Sequence, residues 1–450
     1  MHETRPVGLP AFTIVWFGQL VSLLGSAMSW FAFTIWAWQT TGEATALALV
    51  SFFSLGPTLL LSPLAGALVD RWNRKVVMMI SDLATGAGTV IVLVLYAAGR
   101  LQIGHIYFVA VVAGSFQAFQ FPAYSAAVTM MLPKKHYARA EGMLGLASAV
   151  SGILGPVLAA ALLGTIGLEK ILLIDIVTFL FAVGTLLLIH VPQPAASAAG
   201  QRVRRSLWQE SLFGFRYVMQ RPGLWGLQLI SAAGNLFSAL GYTLIAPMIL
   251  ARTAGDTVVL GSVQSAAAVG AAVGGVLLIL WGGPRRRIHG ALAGWALASL
   301  LGRVLFGLGT TLAAWSFFLF VSGVVAPLIA GSDQAIWQAK VAPDVQGRVF
   351  ATKQLLAHGT VPIGTLLAGL LADHLFEPAM MPGGALAPTL GRLVGTGAGA
   401  GMALLLVLAG VIEMAIVLAG YAVPAIRDVE TLLPDHAAGA EAPLPMGLGA

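Results

Sequence analysis

Cysteine is absent from all 450 residues, which excludes disulfides, thiolate metal sites and cysteine nucleophiles. Charge is nearly as scarce. Lys, Arg, Asp and Glu make up 9% of the chain, against roughly 25% in a soluble protein. A chain so poor in charge cannot cover a water-facing surface of this size, so most of its outside must face lipid. Two further absences narrow the function. No Gly-x-x-x-x-Gly-Lys-Ser/Thr loop is present, so ATP drive is not expected. No His-Glu-x-x-His or carboxylate cluster marks a membrane-embedded enzyme, so no catalytic residue, cofactor or metal is expected. The excess of base, +6, comes without a basic stripe in a soluble domain, and nucleic acid is not an expected partner.

What the chain has is apolar length. It is 58% hydrophobic, with a mean hydropathy of +0.89. About 20 apolar residues suffice for a helix to cross the hydrocarbon core. Twelve runs qualify: 12–38, 44–69, 75–98, 104–131, 140–164, 169–190, 223–251, 259–281, 288–308, 312–338, 348–375 and 398–424. Backbone in lipid must bond to itself, so these are helices, and the alternation of barrel strands is missing. Residues 1–11 form a short polar lead, and no cleavable signal peptide is read there. Of the Lys and Arg residues, 19 fall on one side of the spans and 4 on the other, with Arg303 inside a span. That bias predicts that both termini are cytoplasmic.

The organisation predicted is a six-helix bundle over 1–190, a basic amphipathic linker over 191–222, a second bundle over 223–427 and a tail over 428–450. The linker reads as an interfacial helix on anionic lipid. The tail, acidic and without base, reads as disordered. The Gly/Pro-rich loop 377–397 reads as flexible. The halves look duplicated. Gln19 and Gly25 match Gln228 and Gly234 at an offset of 209, and Pro133 matches Pro343 at 210. The densest charge, Asp70, Arg71, Arg74 and Lys75, lies between two apolar runs. It must sit at the membrane surface, since each charge at the bilayer centre costs about 2.5 kcal/mol or more.

The stretch Gly66-x-Leu68-x-Asp70-Arg71-x-x-Arg74-Lys75 resembles the signature loop of the major facilitator superfamily. The resemblance implies an all-α polytopic membrane protein with twelve transmembrane helices in two six-helix pseudo-repeat bundles. It implies that Asp70 approaches the amino end of span 11, near Gly347 and Arg348, and locks the cytoplasmic side shut in the outward-open state. A carboxylate is favoured at that positive helix end. Arg71, Arg74 and Lys75 are expected to set topology and face lipid headgroups. Asn73 stands where the family has Gly, and Asn tolerates a left-handed turn. In span 5, Gly145, Gly152, Gly155 and Pro156 resemble the family's antiporter motif, with Ala159 and Ala160 in place of its last glycines. Ordinary small-residue packing is the competing account. Residues 70–75, 281–290, 336–340 and 346–350 are similar to the branch holding macrolide-efflux proteins and enterobactin exporters.

Polar amides concentrate in spans 1, 4, 7 and 10, which line the central cavity in the resembled fold. The expected substrate cavity is Gln19, Gln117, Gln120, Tyr124, Gln228, Asn235, Gln334 and Trp337, against the alternative of helix–helix hydrogen bonds. Aromatic residues on the same spans suit an amphipathic or cationic ligand. Ionisable residues inside a membrane are functional candidates. Asp333 is the first choice for proton coupling and Asp175 the second. Asp82 is expected to pair with the basic loop, and Arg303 with Glu413. The function expected is export of an amphipathic drug, macrolide or siderophore by alternating access, in exchange for protons. The setting expected is a monomer surrounded by lipid, multi-pass in a bacterial plasma (inner) membrane. Rival readings are an importer or lysophospholipid flippase of the same fold, and a non-transporting membrane sensor.

Overall fold

The computed structural model describes residues 8–69, 72–132, 137–189, 214–341 and 345–435. All regular structure among them is helical. The first helices are α1 (Leu9–Thr41), α2 (Ala44–Val69), α3 (Arg74–Ala97) and α4 (Ile103–Met131). Next comes Tyr137–Leu188, whose 52 residues run as helix on both sides of Gly167. A straight helix of that length would measure about 78 Å, far beyond the roughly 30 Å hydrocarbon core. It breaks at Gly167, where φ 76 and ψ 172 suit only glycine. Gly155 packs on Ala27 of α1, while Asp175 bonds Ser26 beside it. The two limbs therefore return past the same level of α1, and count as α5 (137–166) and α6 (168–188).

The second half follows with α7 (Pro222–Arg252), α8 (Thr257–Trp281), α9 (287–308), α10 (Leu312–Lys340), α11 (346–376) and α12 (Ala400–Ala422). Two of these contain π turns, Leu300–Leu305 in α9 and Ala372–Phe376 in α11. Eleven described helices are long and apolar enough to cross a membrane, with α5 and α6 counted together. The twelve expected spans are thus all present. Large apolar side chains such as Ile279 and Leu60 lie open on the outside, as lipid contact requires.

Helix ends show why the chain stops where it does. Gly42, at φ 67, closes α1 and returns its N–H to the Trp38 carbonyl. Asp256 starts α8 by accepting from Val258 and Val259 amides at 2.9 and 3.1 Å. Asn73 does not form the left-handed turn. Its backbone is extended (φ −67, ψ 111), and its side chain caps α3 by accepting from Val76 N. An amide that can cap a helix makes the left-handed turn unnecessary.

Small residues set the seams. A Cβ on Gly114 would collide with the Ser54 carbonyl across α2 and α4, and one on Gly323 with the Ala267 carbonyl across α8 and α10. The two glycines are 209 residues apart and serve equivalent helix pairs, which supports the duplication. Alternation of helix direction gives the bundle two faces. The near face carries the start of α1 and the end of α12, and the far face is opposite.

Two expectations about loops are corrected. Loop 377–397 is built, not loose. It holds helices Glu377–Met380 and Ala387–Val394, and Arg252 donates to the Val394 carbonyl at 2.6 Å. The tail is helical over Val429–Leu432, and its residues after Asp435 lie outside the described residues. Lys340, buried at the near end of α10, donates to the Glu430 and Leu433 carbonyls and pairs with Asp435 at 2.6 Å. A buried ammonium needs such partners, and the tail supplies them. Most of the linker lies outside the described residues. Its last part is helical over 214–219, with Val218 buried against the second half.

Candidate functional site

Two cavities inside the bundle are bordered by the described residues. One, of about 590 Å³, belongs to the first half and is bordered by α1 to α6. The other, of about 640 Å³, lies in the second half and is closed on one side by Ser51 and Leu55 of α2.

The first cavity is organised by two carboxylates. Asp82 on α3 accepts from Gln19 Nε2 at 3.0 Å and from Gln120 Nε2 at 2.8 Å. Three helices are tied together there. Asp82 was expected to pair with the basic loop, but Lys75 is engaged elsewhere. Its Nζ donates to the Leu187 and Ile189 carbonyls at 3.2 and 2.7 Å. A cation at the carboxyl end of α6 meets the orphan carbonyls there. The second carboxylate, Asp175 on α6, accepts from Ser26 at 3.1 Å and Thr89 at 3.0 Å. Among the described residues, both aspartates are held by neutral donors alone. Gln120 Oε1 and the Tyr124 hydroxyl, both on residues bordering this cavity, are buried without a partner among the described residues. Gln117 also borders it.

The second cavity is organised by compensated charge. Lys353 Nζ pairs with Asp333 at 2.7 Å and donates to Gln334 Oε1 at 2.9 Å. It also stands 5.4 Å from the Trp337 ring, a cation–π distance. Arg303 pairs with Glu413 at 2.9 Å, as expected, and donates to Ser238 and to the Phe237 carbonyl. Glu413 is fully buried and takes a second bond, 2.6 Å, from Ser299. Arg303 nevertheless borders the cavity, as do Asn235, Asp333 and Gln334.

Two expected cavity residues are elsewhere. Trp337 is wholly buried in the core of the second half and borders neither cavity. It supports Lys353 from behind. Gln228 is likewise buried and donates to the Lys353 carbonyl at 3.2 Å. Both lie on the expected helices, but periodicity alone cannot say which face of a helix looks inward. Lys353 and the hydroxyls of Ser26 and Thr89 were not assigned to the site. Lys353 lies within the expected span 348–375, where a base is conspicuous, whereas hydroxyls are common in such helices and give no signal.

On the near face, Gly66 lies in the last turn of α2, and Gly347 and Arg348 lie in the first turn of α11. Asp70 and Arg71 lie outside the described residues, and so does the expected contact of Asp70 with α11. Arg74 opens α3 and is buried, not spread over headgroups.

The halves meet toward the far face along two seams. At α5–α8, Ser265 donates to the Ile153 carbonyl at 2.7 Å. A Cβ on Gly261 would lie 2.9 Å from the Pro156 carbonyl, and one on Gly152 would touch Ala268 at 3.6 Å. A Cβ on Gly145 would meet nothing within 4 Å among the described residues. At α2–α11, a Cβ on Gly369 would lie 2.5 Å from Thr45 Cα.

Residues 15–358 match the Major Facilitator Superfamily. The chain is 28% identical over 378 residues to macrolide efflux protein A of Streptococcus pyogenes, covering 81% of this chain and 90% of that protein. It is 26% identical over 374 residues to the multidrug efflux pump Tap of Mycolicibacterium fortuitum, covering 80% and 88%. Its fold is similar to that of a bacterial homologue of the human lysosomal transporter Spinster, solved inward-facing and unoccupied. The TM-score is 0.63 at 15% identity, covering 92% of this chain and 96% of that one.

Proposed function

Because the chain belongs to the major facilitator superfamily, we propose that it exports amphipathic organic cations by alternating access of its two halves, in exchange for protons. It is a membrane transporter and not an enzyme. The observation that carries the finer reading is the charge asymmetry between the cavities. Asp333 and Glu413 each have a cationic partner. Among the described residues, Asp82 and Asp175 have only amides and hydroxyls. A carboxylate inside the membrane without a cation beside it is stabilised by either a proton or a cationic ligand, and the two exclude one another. That exclusion is what antiport needs. A cation entering from the cytoplasmic side binds the ionised site. Protons arriving from outside displace it and return with the site.

Roles follow from this. Asp82 takes either the cationic end of the substrate or a proton, Gln120 and Tyr124 receive the rest of that polar end, and Asp175 is the second carboxylate that exchanges a proton. Asp333, first in the sequence reading, is here a fixed counter-ion to Lys353. The efflux names of the relatives and the small-residue seam at Gly152 and Pro156 support export. The Lys and Arg bias supports cytoplasmic termini, which makes the near face cytoplasmic.

The test is uptake into everted membrane vesicles of a panel of amphipathic cations, neutral macrocycles and lysophospholipids. Cation uptake is expected to stop when the pH gradient is collapsed. Uptake indifferent to the gradient would remove proton coupling. Movement of lysophospholipids alone would replace the export reading with a flippase.

A further inference from the structure

One contact between the halves belongs to neither cavity. Asp373 sits in the π turn Ala372–Phe376 at the far end of α11. Both oxygens of its carboxylate reach across to the first residues of α2. Oδ1 accepts from the Ala44 amide at 3.1 Å, and Oδ2 from the Thr45 amide at 2.6 Å. The first amides of a helix have no partner inside it, and they form its positive end. Here the partner comes from the other half of the molecule. One turn below, Gly369 brings the α11 backbone against Thr45 and Ala48, where a Cβ would stand 2.5 and 2.8 Å from their atoms. The seam is thus closed by a charge at its rim and by glycine beneath it.

We propose that Asp373 is the positioning residue that holds the far side of the pathway closed, by capping the amino end of α2 from the opposite half. This rests on the alternating-access reading of the protein. When the halves rock, the two amides and the carboxylate separate, and water must replace both bonds. The capped state is therefore favoured over the one open at the far face, and Asp373 sets part of that preference. Asp373 is not among the described residues that border either cavity.

The absence of cysteine makes a direct test possible. Ser51→Cys places one thiol on α2 beside the second cavity, below the seam. Its reaction with a membrane-impermeant maleimide added from the far side reports opening of that face, with or without substrate. We expect Asp373→Ala to raise the labelling rate several-fold. Asp373→Asn, which keeps an acceptor but not the charge, should fall between. Ala44→Pro removes one donor at a helix position that accepts proline. It should also raise labelling, and combining it with Asp373→Ala should give less than the product of the separate effects.

Thermal unfolding of each purified variant separates opening from loss of fold. If Asp373→Ala does not fold, Asp373→Asn and Ala44→Pro carry the same test. Parental labelling rates in folded Asp373 variants would overturn the proposal. So would a strictly multiplicative double variant. Labelling needs no substrate, so this failure is distinct from a failure of the export assay.

Discussion

Glu413 and Asp82 are both carboxylates within the membrane, yet their surroundings give them opposite tasks. Glu413 is fully buried against Arg303 and Ser299. Removing one member of such a pair leaves the other charge buried alone, which typically costs about 3–5 kcal/mol. Glu413→Gln should therefore lower thermal stability in detergent strongly. The double variant Arg303→Met with Glu413→Leu, which removes both charges, should lose much less. Unfolding of Glu413→Gln at the parental temperature would show that Arg303 is satisfied by Ser238 and the Phe237 carbonyl without it. Among the described residues, Asp82 is linked only to the amides of Gln19 and Gln120. That difference is why the proposed exchange of proton for cation is assigned to Asp82 and not to Glu413.

At the scale of the helix, the small residues of α5 are not equivalent. A Cβ on Gly155 would stand 2.6 Å from the Ala27 Cβ of α1, while Gly145 faces open space. Gly155→Leu should force α1 and α5 apart, at about 1–3 kcal/mol for overpacking, and export should fall with stability. Gly145→Leu should be neutral or slightly stabilising, since leucine is the better helix former by roughly 0.5–1 kcal/mol. Equal effects of the two substitutions in export and thermal-unfolding assays would sink the distinction. The sequence pattern supplied the helices and the matched offsets, because length and hydropathy are local properties. It placed Gln19, Gln120 and Asn235 at the cavities, since amides avoid lipid. It misplaced Gln228 and Trp337, because an amide can also be satisfied inside a half, as Gln228 is by the Lys353 carbonyl. It gave no sign of the π turns at 300–305 and 372–376. Such turns are selected by contacts with other helices, here those of Arg303 and Asp373, and these have no local periodicity.

For the whole molecule, the contacts at Asp373 give a meaning to the charged loop between α2 and α3. On the far face a carboxylate of α11 caps α2. On the near face the family resemblance implies that Asp70, just beyond α2, approaches the start of α11. The same two helices would then be latched at opposite ends by one carboxylate from each half. Only one latch can be closed in a given state, so the difference between them sets the population. A carboxylate at a helix amino end contributes about 0.3–1 kcal/mol, and up to about 2 when partly buried. Loss of either latch should thus shift the ratio of the two states by about two- to thirty-fold, in opposite directions. Asp70→Asn should favour the state open at the near face, and Asp373→Ala the state open at the far face. Together they should bring the ratio back toward the parental value while the states exchange faster, because both closed forms have lost a holding contact. Single cysteines at Ser51 and Ser148, each bordering one cavity, would read the two faces through impermeant labels from either side. Shifts in the same direction for both single variants would break the reciprocity and leave Asp373 acting alone.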